Sequence, residues 1–217
     1  AVPVEKIVVA TDDTRISSVC REHDIPCVMT SVECLTGTDR VAEVAGRPGY
    51  DQYPYIANVQ GDEPLLREAH LRVAIDLVRD SGWDVGTCAT PIRADEARTD
   101  ASIVKVARAA SGRALYFSRA PIPYKRDEKP TGHDLEHDPF LRHVGIYAYT
   151  RDALQDWVAL APSQLEQTEE LEQLRPVEAG LRIGVAIVGS ADPGVDTPAD
   201  VVRMEKQLSP NGAATLV

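Results

Sequence analysis

Two aspartates are candidates for chemistry, and the position of the first, Asp62, suits a divalent cation. Asp62 lies in Gln60-Gly61-Asp62-Glu63-Pro64, directly after the apolar run 55–59 (YIANV). A carboxylate at the carboxyl end of a parallel strand suits Mg²⁺, which takes one or two carboxylates together with phosphate oxygens and water. The same residue type also serves as a plain turn aspartate that caps the next helix. Asp196 lies in Pro193-Gly194-Val195-Asp196-Thr197-Pro198. There Asp196 or Thr197 fits equally as a helix N-cap, with Pro198 at the first helical position. Cationic and polar candidates lie between the two: Arg119 in YFSRAPIP, and Arg142, His143 and Tyr147 in FLRHVGIY. An arginine fork matches the two oxygens of a carboxylate. His143 and Tyr147 share a strand face by alternation, which fits a pocket wall or a half-buried strand. The stretch 166–175 (EQTEELEQLR) reads by itself as a solvated helix with acid–base pairs four apart.

These residues need a scaffold that gathers them. The run 6–10 (KIVVA) reads as a buried parallel strand and enters the polar turn Thr11-Asp12-Asp13. A helix over 16–23 and a short apolar piece at 25–29 follow. Gly37-Thr38-Asp39 then opens an amphipathic helix whose inner face is Val41, Ala42, Val44 and Ala45. The strand 55–59 and a helix over 66–78 continue the rhythm. Strand–helix alternation predicts a doubly wound pattern with a parallel sheet, and ligands of such sheets sit at the carboxyl ends of the strands. After Gly82 the rhythm changes. Strand-like runs at 85–92, 103–109 and 115–118, with a Ser111-Gly112 turn, predict an antiparallel excursion. The charged, breaker-rich stretch 125–138 predicts a long exposed loop. A strand at 144–149, helices at 151–160 and 165–179, a strand at 183–188 and a helix at 197–207 complete the reading.

Composition bounds the class. The 217 residues carry 34 acids against 23 bases, a net charge of −11, which disfavours wholesale binding to a nucleic-acid backbone. There is no apolar run long enough to span a bilayer. The leading AVPVEKIVVATDD has neither the basic region nor the apolar core of a signal peptide. Cys20, Cys27, Cys34 and Cys88 form no CxxC pair. They read as small buried hydrophobes in a reducing, cytoplasmic setting.

Taken in order, VATDD, GTDRVAE, NVQGDEP, ALYFSRAPIP, FLRHVGIYAY, SQLEQTEELEQLR and PGVDTP resemble the 3-deoxy-manno-octulosonate (Kdo) cytidylyltransferase family, the CMP-Kdo synthetases. The resemblance runs from about residue 4 to about residue 205. It implies an α/β, nucleotide-diphospho-sugar transferase-like fold: a doubly wound mixed sheet with an antiparallel flap, in a homodimer. The domain is expected over 1–208, with the polar, small-residue stretch 209–217 as a frayed tail. The resemblance also implies CTP and a sugar acid as substrates, Mg²⁺ as cofactor, and pyrophosphate as leaving group. The family's metal-binding aspartates fall on Asp62 and Asp196. Arg119, His143, Tyr147, Glu172 and Gln173 fall in its sugar-acid pocket, and Arg40 and Gln60 near its nucleotide.

The match leaves the family's first strand and basic, glycine-containing phosphate loop without a counterpart in this sequence. An open slot in the sheet is the structural expectation. Cys34-Leu35 also stands before TGTDR, where the family more often has small polar residues. Two other readings remain open at this point: a cytidylyltransferase for another acidic acceptor, such as an amino-Kdo or a phosphonate, and a catalytically silent nucleotide-binding or dimer-forming scaffold.

Overall fold

A computed structural model describes residues 5–92, 98–124, 126, 140–192, 194–195 and 197–208 of the chain. Strands β1 (Val9–Thr11) and β2 (Cys27–Met29) pair in parallel across helix α1 (Thr14–Glu22). Asp13 caps α1, its carboxylate accepting from Arg15 N at 2.7 Å. Helix α2 (Gly37–Ala45) opens on a capping box: Thr36 Oγ1 accepts from Asp39 N, and the Asp39 carboxylate accepts from Thr36 N. The two bonds satisfy two donors that a helix start otherwise leaves orphaned. Then come β3 (Tyr55–Val59), α3 (Glu68–Arg79) and β4 (Val85–Pro91). Strands β5 (Lys105–Arg108) and β6 (Ala114–Ser118) form the antiparallel excursion, with Gly112 at φ +94° in its turn. The chain closes with β7 (Leu141–Thr150), α4 (Arg151–Ala159), α5 (Gln164–Glu169), α6 (Leu174–Glu178), β8 (Ile183–Ile187) and α7 (Pro198–Leu208).

The main sheet is mixed. Its order is β6-β5-β7-β4-β8, with β3 also on β7. Among its described pairings only β4 with β8 is parallel; β3, β4 and β5 all lie antiparallel to β7. This corrects the simple parallel sheet expected from strand–helix alternation. The first two strands form a sheet of their own, because β3 pairs with distant β7 and not with its neighbours in sequence. Alternation signals element type but does not choose a strand's partner.

Each face of the sheet is covered. On β7, Val144, Ile146 and Ala148 point towards α3, where Ala74 and Val78 meet them together with Cys88. Tyr147 and Tyr149 point the other way, into a cluster with Leu154 and Trp157 of α4 and Leu174 of α6. Helix α3 lies so close to β4 that a Cβ on Gly86 would fall 2.2 Å from Ala74 O. Gly86→Ala should therefore force the helix off the sheet and cost about 1–3 kcal/mol, read as a lower urea midpoint.

The single helix expected over 165–179 is two short ones. Helix α5 ends at Glu170, which adopts φ 54°, ψ 48°, and a turn leads into α6. Glu166 and Arg175 bridge the break. Arg175 Nε and Nη2 donate to the two Glu166 carboxylate oxygens at 2.7 and 2.5 Å. In a straight helix, residues nine apart lie on opposite sides and about 13.5 Å apart along the axis. The ion pair forms only because the chain turns, so the pairing four apart is replaced by one nine apart.

Cys20 and Cys88 are buried, Cys27 and Cys34 half-buried, and all four are free. Burial pushes the Cys88 thiol up to about 12, so it is inert at neutral pH. The expected loop over 125–138, apart from Arg126, and the expected tail over 209–217 lie outside the described residues.

Candidate functional site

A cleft of about 2010 Å³ separates the small sheet from the large one. Residues 7–10 line one side and 55–59 the other, with Val41 and Val44 of α2 and Leu71 and Ile75 of α3 adding apolar walls. The free edge of β3 meets no strand there among the described residues. Of the residues singled out in the sequence, Arg40, Gln60, Asp62 and Arg119 line this cleft. So do His143, Tyr147, Glu172 and Gln173. Asp196 lies outside the described residues.

Asp62 follows β3 in the polar turn. Val195 N donates to Asp62 O at 2.8 Å, so the chain one residue before Asp196 is fastened to the Asp62 main chain. A Cβ on Gly194 would lie 3.2 Å from Asp62 O, a tight approach that a side chain would open by a few tenths of an ångström. Thr197 takes the α7 cap: its N and Oγ1 donate to the Asp200 carboxylate at 2.9 and 2.8 Å. Glu63 reaches across to β7, accepting from Gly145 N at 3.3 Å. The turn therefore presents oxygen donors, the set that a hard cation such as Mg²⁺ prefers.

His143 and Tyr147 are brought together by an irregularity in β7. Thr87 of β4 is level with Tyr147, yet the next residue, Cys88, is level with Val144. Residues 145 and 146 of β7 thus have no counterpart on β4. Residues four apart on a regular strand are about 13 Å apart. Here the His143 and Tyr147 ring centroids are 5.3 Å apart. Phe117 meets the His143 ring edge-on at 5.2 Å, and Trp157 meets the Tyr147 ring edge-on at 5.9 Å. Thr87 Oγ1 lies 2.9 Å from His143 Nε2. Burial, chiefly, with Arg142 beside it, pushes the imidazole down to about 3 from the ordinary 6.5. Tyr147, buried and near Glu172, has its phenol held well above its usual range, so it keeps its proton.

The low histidine value makes a stability prediction. Between pH 6.5 and 3 the unfolded chain takes up a proton at this position that the folded chain refuses. Stability is therefore lost as pH falls through that window, by at most about 1.4 kcal/mol per pH unit from this group. His143→Phe should flatten that part of the curve of urea midpoint against pH; an unchanged slope would contradict the assignment.

Glu172 and Gln173 sit in the turn between α5 and α6, which the helix break turns towards the cleft. Thr38 Oγ1, fully buried at the start of α2, donates to Glu172 Oε1 at 3.0 Å and lies 3.4 Å from Tyr149 Oη. Burial raises the Glu172 carboxyl above its usual value, partly offset by the Thr36 and Thr38 hydroxyls. Across the cleft, Arg40 Nη2 pairs with Asp12 at 3.3 Å, and its Nη1 donates to Thr30 Oγ1. Arg40 thereby ties α2 to the ends of β1 and β2.

Arg119 departs from the simple expectation of an open fork. Its Nε donates to Glu169 O at 2.9 Å, Nη1 to Ala101 O at 2.9 Å, and Nη2 to Glu170 O at 3.3 Å. Three of the five N–H donors of a guanidinium are thus spent on main-chain carbonyls. Glu169 returns the clasp, accepting from Arg119 N at 2.9 Å and Ser118 Oγ at 2.6 Å. Beneath it, fully buried Lys105 donates to Asp100 O, Ile103 O and Arg119 O at 2.8, 2.7 and 2.5 Å. The three bonds satisfy the ammonium's donors, which is what makes its burial tolerable.

Sequence reading missed Thr38, Thr87, Lys105 and Glu169. Thr38 stands inside the GTDRVAE motif, so it had a signal. The other three read as ordinary strand or helix residues, because their partners are far away in the chain.

Residues 2–183 match the family model described as Cytidylyltransferase. Curated relatives are named 3-deoxy-manno-octulosonate cytidylyltransferase. That of Gemmatimonas aurantiaca is 45% identical over 197 residues, 90% of this chain and 75% of its own. That of Xanthomonas axonopodis pv. citri is 44% identical over 206 residues, 93% of this chain and 79% of its own. A solved structure of CMP:2-keto-3-deoxy-manno-octonic acid synthetase complexed with CTP superposes with a TM-score of 0.84 at 36% identity, covering 97% of this chain and 83% of that one. An inositol-1-phosphate CTP transferase from T. maritima, with TM-score 0.56 and 15% identity, covers 89% of this chain and 70% of that one and shares the fold alone. The mixed sheet and its cleft are thus a nucleotidyltransferase architecture, and the chain belongs to the cytidylyltransferase family, with the 3-deoxy-manno-octulosonate cytidylyltransferases as its relatives.

Proposed function

We propose that this chain is a nucleotidyltransferase that transfers CMP from CTP to a hydroxyl of 3-deoxy-manno-octulosonate and releases pyrophosphate. The observation that carries the reading is the likeness to relatives so named, at 44–45% identity over nine-tenths of the chain. The cleft supports it, because one opening holds the Asp62 turn, Arg40 and the His143–Tyr147 wall.

Asp62 and Asp196 are the residues that would hold Mg²⁺. When bound, the ion supplies Lewis-acid stabilisation of phosphate charge and lowers the pKa of a coordinated hydroxyl. The chain's own residues bind and orient. Arg40 and Gln60 face the nucleotide half. Arg119 turns its remaining N–H donors to the acceptor carboxylate, while its other bonds hold the rim rigid. Tyr147 keeps its proton and donates to an acceptor hydroxyl; Glu172 and Gln173 complete that wall. His143 holds a proton too weakly to be a useful general base near pH 7, so its role is recognition. The acceptor hydroxyl attacks the α-phosphorus in line, a new P–O bond forms, the bond to pyrophosphate breaks, and the hydroxyl proton passes to solvent water. Holding both reactants in one cleft contributes about 7–11 kcal/mol through lost freedom already met on binding.

A pyrophosphate-release assay with CTP, Mg²⁺ and a panel of acceptors tests this. Turnover is expected with 3-deoxy-manno-octulosonate and not with a phosphonate. Turnover with a phosphonate alone overturns the reading.

We also infer a homodimer in the cytoplasm, with the catalytic domain over 1–208 and 209–217 as a tail. Four free thiols fit a reducing compartment, and no described helix is long and apolar enough to cross a membrane. A sedimentation mass equal to one chain contradicts the dimer.

A further inference from the structure

Thr87 sits at the foot of the β7 irregularity, wholly buried, with its hydroxyl facing three groups. Oγ1 donates to Ile146 O at 2.7 Å, and a second carbonyl, Val144 O, lies 3.4 Å away. His143 Nε2 is 2.9 Å from the same oxygen. A threonine hydroxyl has one proton and two lone pairs. Carbonyl oxygens only accept, so the proton must lie towards Ile146 O; without it, two lone pairs would face each other at 2.7 Å. The contact with Nε2 is then a hydrogen bond only if the ring nitrogen carries the proton. In a neutral imidazole, a proton on Nε2 leaves Nδ1 bare. Among the described residues Nδ1 has no hydrogen-bond partner, and His143 lines the cleft.

We propose that Thr87 locks His143 as its Nε2–H tautomer, so that a bare Nδ1 serves as the hydrogen-bond acceptor by which the sugar-acid half of the cleft selects a donor group, a hydroxyl or an ammonium, on its substrate. The inference rests on the placing of His143 in the acceptor pocket proposed above. It assigns Thr87 as a positioning residue, since it acts through His143. It also narrows the substrate class. The sugar acid must present a proton-bearing group towards His143; a carbonyl, ether or phosphate oxygen there meets a lone pair and is rejected. The low proton affinity of the ring keeps this arrangement from being undone by protonation near neutral pH.

Two readouts test it. The first is ¹⁵N NMR of histidine-labelled protein, with the His143 signals assigned by their loss in His143→Ala. The expected pattern is a protonated Nε2 and an unprotonated Nδ1. A ring protonated on Nδ1 overturns the proposal, and the readout needs no activity from any variant.

The second readout is steady-state kinetics of Thr87→Val, which keeps the shape and removes the acceptor, and Thr87→Ser, which keeps the hydroxyl. Thr87→Val should raise KM for the sugar acid about tenfold, with kcat and KM for CTP within about twofold. Thr87→Ser should restore KM. Equal effects of Thr87→Val on all three constants, or no rescue by serine, contradict the proposal. If His143→Ala raises KM for the sugar acid and Thr87→Val does not, the tautomer lock fails while the pocket assignment stands. If neither variant changes that KM, the pocket assignment itself fails, and this inference with it.

Discussion

Asp62→Asn is expected to lower kcat about 10²–10³-fold while leaving the urea midpoint nearly unchanged. The amide has the size of the carboxylate but lacks its charge, and it is a weaker ligand for a hard cation. Losing one preorganised electrostatic contact to a transition state typically costs this much. Stability is spared because the turn is fastened through the main chain: Val195 N donates to Asp62 O, which the substitution retains. Asp196→Asn should give a similar loss. The double variant should be no more than about threefold worse than either alone, because residues that act as a unit are far from additive. Full additivity of the two losses would show that the aspartates act separately.

Arg175→Met is expected to destabilise the protein by about 3–5 kcal/mol and to raise KM for the sugar acid. Arg175 and Glu166 are nearly buried, at 10% and 12% side-chain exposure, so removing one leaves a charge without its partner. Burial pushes the Glu166 carboxyl up, but the Arg175 guanidinium and Ser163 N outweigh it and hold it below the usual range. The pair closes the turn that carries Glu172 and Gln173, so its loss frees both residues. Combining Glu166→Leu with Arg175→Met should recover much of the stability, since a well-packed apolar pair replaces a buried ion pair at little cost. It should not recover the KM, because the turn is no longer held by a directional contact. Urea unfolding of the single and double variants, with kinetics on the same samples, separates the two effects.

Local chemistry was legible in the sequence, and long-range pairing was not. The polar turn before α1, the Gly37-Thr38-Asp39 opening of α2 and the glycine turn between β5 and β6 follow from residues a few positions apart, and they lie where the sequence puts them. So do the polar turns after β1 and β3, since an apolar run followed by Asp and Gly signals both a strand and its end. The choice of β7 as the partner of β3 had no local sign. Neither did the register shift of β7 against β4 at 145–146, which brings two rings of one strand into contact. The helix expected over 165–179 has helical spacing throughout; instead Glu170 turns left-handed, and an ion pair between residues nine apart bridges the turn. Arg119 illustrates the same limit for the site. Its fork suggested a carboxylate partner, yet most of its donors go to carbonyls of segments that sequence spacing does not bring near it. Thr87 reads as one more strand threonine in VGTCAT, and only the fold puts His143 against it.

We propose that Asp62 and Asp196 together hold a divalent cation beside the phosphates of CTP. Crystals grown with CTP and Mn²⁺, with diffraction collected at the manganese absorption edge, test it most directly. An anomalous peak in contact with both carboxylates and with a phosphate oxygen is expected. A bound nucleotide whose manganese sits on other side chains, with either carboxylate turned away, would contradict it.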